Sequence, residues 1–375
     1  MKEYQMCRRC VMDNRSDDTI SFDEQGYCNY CTTAIKQIGT VYLPNDEGKK
    51  QLELMIAKLK KEGEGKKYDC LMGISGGLDS AYLAYLGAVK WELRILAVHI
   101  DDGFDTQLAK DNISNLCKAC GIEIIYEYPD KEQFNDLTRA FILAEVPNIA
   151  IPQDNAILAY LYNYARKYKT YNFLSGSNFA LECILQKGNT FTAFDLIHIK
   201  DIHERFGTKS LSKLTLLSKW RILFEGFVNN QKTLRPLNYI NYDKAKAISE
   251  LNEFCGFTYY EAKHLENIFT KVAQLVWFAK KFRVDKRHSH LSSLIVSGQM
   301  TRDEAIVELQ KLMYDEEKME YDTQFVLNEL NITREEFDKL LSQPGKQHTE
   351  YKKYSNVSNT LYKLLLKISM FLKRL

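Results

Sequence analysis

Apolar positions along this chain fall into two registers. Residues 68–73 form a short apolar run bounded by lysines, and residues 93–100 form a second, continuous one. Both predict buried strands, as do 122–128 and 171–174. Between them apolar positions return at helical spacing over 106–120, 131–144 and 153–169. Strands alternating with helices predict an α/β fold built on a doubly wound parallel sheet. Such a sheet binds ligands beyond the carboxyl ends of its strands. Three loops meet that condition: 75–80, 99–103 and 175–178.

The flanks differ. Residues 45–61 predict a charged amphipathic helix and 62–67 a flexible join. From Tyr242 onward the pattern is helical, with 243–254 as one helix and a capping box at Thr301 and Glu304 opening another. In the last stretch Leu361, Leu364, Leu365, Ile368 and Leu372 fall at helical spacing, with six basic residues and no acid over 351–375. That stretch could dock on the protein itself, on a partner or on an anionic membrane surface. The division expected is 1–42, a four-cysteine module; 43–65, a helical linker; 66–240, the α/β domain; and 241–375, a helical substrate- or partner-binding region.

Charge narrows the function. The 51 basic and 49 acidic residues leave a net +2, which does not argue for a broad nucleic-acid surface, though a local patch could hide in the sum. The N-terminal stretch has no apolar signal core and no run is long enough to span a bilayer, so a cytoplasmic protein is expected. Its nine cysteines are then thiols or metal ligands rather than disulfides. Cys7 and Cys10 form one C-x2-C, and Cys28 and Cys31 form another seventeen residues on. This is the spacing of a closed four-thiolate site, structural rather than catalytic, with zinc expected and an iron–sulfur cluster the alternative. A hairpin turn is expected at 22–27. Cys117 and Cys120 form a third C-x2-C without a partner pair, at the end of a helix.

The chemistry centres on Ile74-Ser75-Gly76-Gly77-Leu78-Asp79-Ser80, a glycine-rich turn from strand to helix. Two glycines let backbone approach an oxyanion, and the helix start offers free N–H groups and a positive dipole end. Ser75 and Ser80 add hydroxyls. Asp79 would repel a phosphate unless it binds Mg²⁺ or caps the helix. The turn is neither a Walker A loop nor a dinucleotide fingerprint, because it holds no lysine and no third glycine. A cation from elsewhere must therefore balance a phosphate held there; Lys187, Lys200, Arg205 and Lys209 are the candidates, some on a segment (195–207) that could be a mobile loop over the site. Glu182, downstream of Gly176 and Ser177, reads either as a Mg²⁺ ligand shared with Asp79 or as a solvated helix charge. Around Lys286, Arg287 and His290, five basic residues and two histidines lie within eleven positions, either a solvated face or a site for a phosphorylated substrate.

The residues SGGLDS resemble the pyrophosphate loop of the PP-loop ATP pyrophosphatases. That resemblance implies cleavage of ATP to AMP and pyrophosphate, with adenylylation of a carbonyl oxygen. It implies ATP contacts from Ser75, Gly76, Gly77, Asp79, Ser80, Gly176 and Ser177, and from the strand end at His99 and Asp101, with Asp79 and Ser80 catalytic. The N-terminal cysteines, Gly176-Ser177-Asn178, Arg235-Pro236-Leu237-Asn238-Tyr239, Asp285-Lys286-Arg287 and His290-Leu291-Ser292-Ser293 together resemble the N-acetyl sugar amidotransferases of bacterial surface-polysaccharide biosynthesis. Leu78 stands where that family usually has lysine. The family resemblance implies ATP, Mg²⁺ and structural Zn²⁺. It implies an N-acetyl sugar substrate met by Asn178, Lys286, Arg287 and His290, turned into an acetamidino sugar. It also implies a separate HisH-like glutaminase and a HisF-like ammonia-delivering subunit. The alternative is a PP-loop tRNA-thiolating enzyme, with Cys117, Cys120 or Cys183 carrying sulfur.

Overall fold

Five parallel strands form the centre of the computed structural model, which describes residues 3–260 and 265–372, with the backbone alone at 356, 357 and 368–372. The strands are β1 (Cys70–Gly73), β2 (Ile95–Ile100), β3 (Glu123–Glu127), β4 (Asn172–Leu174) and β5 (Lys232–Leu234), in the order β3-β2-β1-β4-β5. Side chains alternate across the sheet as a two-residue period requires. Met72, Ile95 and Ala97 enter one core with α3 (Leu78–Tyr85) and α4 (Gln107–Cys120). Leu71, Leu96, Val98 and Phe173 enter another with α6 (Ile151–Tyr168). Helices thus cover both faces, and the doubly wound sheet expected from the pattern is the one observed. The strand β5 was not foreseen. It is three residues long, polar at two of them, and pairs along one edge only.

Between β1 and β4 the winding reverses, and their carboxyl ends open a crevice there. The turn at 75–80 and the loop at 175–178 flank it. The helix caps are those the sequence offers: Thr106 accepts from Ala109 N–H, Asn45 from Gly48 N–H, and Gly121 ends α4 in the left-handed region at φ 64°.

At the N-terminus the two cysteine pairs come together at the start of α1 (Asn29–Ile35), where Cys28 is the N-cap and Cys31 lies in the first turn, all four side chains fully buried. The expected hairpin is a single antiparallel bridge between Phe22 and Cys28, its turn passing through Gly26 at φ 81°. The C-terminal helices share a core with the α/β part. Trp277, fully buried, donates from Nε1 to the Val146 carbonyl at 2.9 Å and packs with α5 (Lys131–Leu143), α14 (Glu316–Glu329) and α15 (Arg334–Ser342).

The segment 195–207 is not a mobile loop. It is helix α8 (Leu196–Phe206), capped by Asp195, with His198, Ile199, Asp201 and Ile202 buried at helical spacing. Its His198 meets His348 from the far end of the chain. The Asn148 N–H donates to His348 Nε2 at 3.2 Å, so His348 keeps its proton on Nδ1 and donates it to His198 Nε2 at 3.0 Å. Burial pulls His198 down to about 4; burial and the neighbouring ring pull His348 to about 3. The unfolded chain therefore takes up protons first, beginning near pH 6.5. Stability should be complete above that pH and fall as the pH drops toward 4, by about 1.4 kcal/mol per pH unit per histidine at most. Thermal melting across this range should show a shallower acid slope for His348→Asn than for the wild type.

Candidate functional site

The turn at 75–80 is built by its own side chains. Gly77 N–H donates to Ser75 Oγ at 3.2 Å, and Ser80 Oγ donates to the Gly77 carbonyl at 3.1 Å. Gly77 is the N-cap of α3, and the first intrahelical bond runs from Ala81 N–H to its carbonyl. Leu78 N–H meets the Tyr260 hydroxyl, and the N–H groups of Asp79 and Ser80 complete the first turn, which suits an anion. Gly76 sits at φ 77°, and a Cβ there would lie 2.7 Å from the Ala109 carbonyl oxygen. No other residue type fits that position without strain.

The second loop packs on the first, backbone to backbone. A Cβ on Gly176 would lie 2.9 Å from the Asp79 carbonyl carbon and 2.9 Å from Ser80 N. Asn178 then caps the short helix α7 (Phe179–Glu182), accepting from Leu181 N–H, and its amide donates back to the Gly176 carbonyl. Asn238 accepts from Phe179 N–H at 2.7 Å, which gives the 235–239 motif its structural task.

A cavity of about 500 Å³ opens over both loops. One wall is Ser75, Asp79, Ser80, Gly176, Ser177 and Glu182; the other is Tyr259, Tyr260, Glu266, His290, Leu291 and Leu294. Asp79 is fixed by Tyr242, whose hydroxyl donates to Oδ1 at 2.6 Å. Burial and that carboxylate hold the Tyr242 phenol well above its ordinary pKa, so it stays a donor. Tyr260 donates to the Gly76 carbonyl at 2.9 Å. Glu266, buried, has Oε1 3.3 Å from Ser75 Oγ.

A second cavity of about 300 Å³ lies on the other side of Ser75 and Glu266, which line both. His99 and Asp105 reach into it beside the ends of β1 and β2. His99 donates from Nδ1 to the Ile74 carbonyl at 2.8 Å, and its Nε2 lies 3.0 Å from Asp105 Oδ2, off hydrogen-bond alignment. Burial disfavours the charged ring, but Asp105 outweighs it and the His99 pKa is raised.

The expected residues divide. Ser75, Gly77, Asp79, Ser80, Gly176, Ser177, Glu182, Arg287 and His290 line the first cavity and His99 the second. Asp101 lines neither: its carboxylate pairs with Lys110 at 2.9 Å. Asn178 is the helix cap. Lys286 lies outside both cavities, its ammonium 4.4 Å from the Phe278 ring centroid, where burial draws it down to about 8. Arg287 is engaged: its guanidinium binds Asp285 and the carbonyls of Leu309 and Lys311, closing the end of α13 (Arg302–Gln310).

None of the four expected pyrophosphate cations lines the cavity. Arg205 pairs with Asp201, Lys209 with Glu132, Lys187 lies over Tyr30, and Lys200 is exposed on α8. Among the described residues the lysine at the cavity is Lys244, 4.7 Å from the Tyr259 centroid. Neither it nor Glu266 and the tyrosines carried a local motif. Cys117, Cys120 and Cys183 line neither cavity, and burial pushes their thiols up to about 12, 12 and 11.

The second wall of the cavity is also where the chain matches a described family. Residues 266–367 match "LPS biosynthesis protein WbpG-like, C-terminal domain". Over these residues the chain is similar to that domain. Glu266, His290, Leu291 and Leu294 all belong to this WbpG-like part. A further 120 residues' alignment is 32% identical to the uncharacterized protein MJ1599 of Methanocaldococcus jannaschii, over 32% of this chain and 41% of that one. The chain thus matches about two fifths of that relative's length. The fold is similar in part to an NH3-dependent NAD synthetase from Campylobacter jejuni, at 16% identity and TM-score 0.30, over 56% of this chain and 93% of the other. It is also similar in part to the U34-tRNA thiolase NcsA from Methanococcus maripaludis with its [4Fe-4S] cluster, at 15% identity and TM-score 0.29, over 84% and 91%. At such scores these two overlaps say nothing of chemistry, and the fold rests on the sheet described above.

Gly176→Ala puts a methyl group into the Asp79–Ser80 peptide. Its expected effect is a loss of ATP affinity of at least tenfold with far-UV circular dichroism unchanged, read by calorimetric titration with a non-hydrolysable ATP analogue.

Proposed function

We propose that this chain is an ATP-dependent amidotransferase that adenylylates the acetamido oxygen of an N-acetyl sugar and replaces AMP by ammonia. The observation that carries this reading is the cavity itself. One wall is the turn with Asp79 and Glu182, and the other draws Glu266, His290, Leu291 and Leu294 from the residues that match a domain described for LPS biosynthesis. The pyrophosphate would settle on the first turn of α3, with the adenosine in the second cavity beyond Ser75. The α-phosphate would then lie near Ser75 and Glu266, where the cavities meet, and the sugar would occupy the first cavity against Leu291 and Leu294.

The chemistry follows from leaving groups. The amide oxygen attacks the α-phosphorus and pyrophosphate departs, giving an O-adenylyl imidate. Ammonia adds to the imidate carbon, loses a proton, and AMP leaves with the C–O electron pair, giving the acetamidine. An amide oxygen is a poor leaving group and AMP is a good one. Lys244 is the cation beside the departing pyrophosphate, and the N–H groups of Asp79 and Ser80 receive its charge. Mg²⁺ suits Asp79 and Glu182, two carboxylates facing one cavity, and would supply charge neutralisation for the phosphates. Ammonia would come from a separate HisH-like glutaminase through a HisF-like subunit.

The four thiols fit one tetrahedral ion. Cys7 and Cys31 Sγ are 3.7 Å apart, Cys10 and Cys28 Sγ 3.6 Å, and all four lie within 4.8 Å. A zinc–sulfur bond of about 2.3 Å implies an edge of about 3.8 Å. An iron–sulfur cube, with one thiolate per iron, needs the sulfurs farther apart. Zn²⁺ held there would contribute folding free energy and no catalytic step. Elemental analysis should find about one zinc per chain, and none, with a lowered melting temperature, in Cys10→Ser.

With Mg-ATP, ammonium and a panel of UDP- and CMP-linked N-acetyl sugars, AMP and pyrophosphate release should depend on one sugar. Asp79→Asn and Lys244→Met should each lower it about 100-fold or more. Release that appears only with tRNA and a sulfur donor would move the chain to the thiolating enzymes.

A further inference from the structure

Two packed helices in the second half of the chain turn apolar stripes toward solvent. In α9 (Lys219–Val228) the exposed residues include Phe224, Phe227 and Val228, at 56%, 57% and 58% exposure and at i, i+3, i+4 spacing. In α16 (Asn356–Leu372) Leu361, Leu364 and Leu365 repeat that spacing at 48%, 54% and 37%. The helices meet through other residues: Lys219 donates to the Asn359 side chain, and Trp220 packs edge-on against Tyr362 at 5.9 Å. A stripe of this spacing on a surface helix normally faces a core. Single exposed leucines are ordinary, but six large apolar side chains on two adjoining helices mark a docking face. Ile368 and Leu372, which continue the pattern, lie outside the side chains described.

The charge around this face is one-sided. Residues 351–375 hold six basic side chains and no acidic one, in a chain whose net charge is only +2. Lys352 pairs with Asp201, while Lys353, Lys363 and Lys367 are exposed. The one acid of α9, Glu225, is buried and answered by Arg166. Lysine is depleted from protein–protein contacts, so a folded partner suits this face poorly. A second copy would set lysines against lysines across a two-fold axis. Anionic headgroups over an acyl boundary complement both the lysines and the leucines. Among the described residues no helix is long and apolar enough to cross a membrane, so α16, about 25 Å long, would lie along the surface.

We infer that α9 and α16 form a docking surface for an anionic lipid bilayer, the Phe and Leu stripes entering the acyl boundary and the lysines meeting headgroup phosphates. This surface is independent of the catalytic reading above.

The test is flotation of the full chain with phosphatidylcholine vesicles and with vesicles that also contain phosphatidylglycerol. Binding is expected to the anionic vesicles alone and to weaken as salt is raised. Leu364→Glu with Phe227→Glu should abolish it. Lys363→Gln with Lys367→Gln, which alters exposed side chains only and leaves the fold intact, should weaken it roughly 25-fold, about fivefold per lysine. Leu312→Glu, at an 89% exposed position elsewhere, should leave it unchanged. No flotation of the wild type, equal binding to neutral vesicles, or unchanged binding of the lysine variant would overturn the inference. So would a wild-type dimer in light scattering that Leu364→Glu splits while vesicle binding is absent.

Discussion

Everything at this site depends on one backbone-to-backbone contact. Gly176 lies against the Asp79–Ser80 peptide with no space for a side chain, so the loop after β4 and the first turn of α3 behave as one surface. The sheet brings this about, because β1 and β4 are neighbours and their connections leave in opposite directions. The contact sets Asp79 and Glu182 around one cavity, beside the start of α3. A turn that presents N–H groups and a carboxylate together can take a phosphate only with a cation between them. The acidic lining therefore counts in favour of a metal-bound nucleotide rather than against a phosphate.

The local half of this design was legible in the sequence. A strand, two glycines and a capped helix are consecutive, and the cysteine pairs repeat at a fixed interval. What could not be read was whatever crosses the chain. Tyr242 reaches Asp79 over 163 residues, Tyr260 reaches Gly76 over 184, and Glu266 reaches Ser75 over 191. Tyrosines and a glutamate in a helical region carry no periodic signal of where they end up. The basic cluster divides: Arg287 and His290 reach the cavity and Lys286 does not. Arg287 has the charge and position of a substrate clamp, yet Asp285, two residues earlier, and the end of α13 take up its donors. Local charge density in a sequence does not show which cations are already neutralised.

The mobile loop expected at 195–207 misled in the same way. Mixed charge and two histidines looked like a polar flap, but Ile199 and Ile202 sit at helical spacing and bury with the histidine between the α/β part and the C-terminal helices. A buried neutral histidine pair is invisible in a charge pattern, because its meaning lies in the partner 150 residues away.

The cysteine module acts on the cavity at one remove. Arg302, at the start of α13, donates to the carbonyls of Cys7 and Cys10; Val11 N–H donates to Ser292, and its carbonyl meets His288 Nδ1. Ser292 and His288 lie on α12 (Arg287–Val296), whose other residues His290, Leu291 and Leu294 form the cavity wall. The cysteine knuckle is thus a strut behind this wall, and Ser293, bonded to Ile184, ties the same helix to the segment just after Glu182. A metal there would reach the reaction through the position of α12, not through a bond to substrate. Loosening it would move that wall relative to the turn at 75–80, which its own hydroxyls and Gly176 close locally and which Tyr260 and Glu266 tie to the same wall.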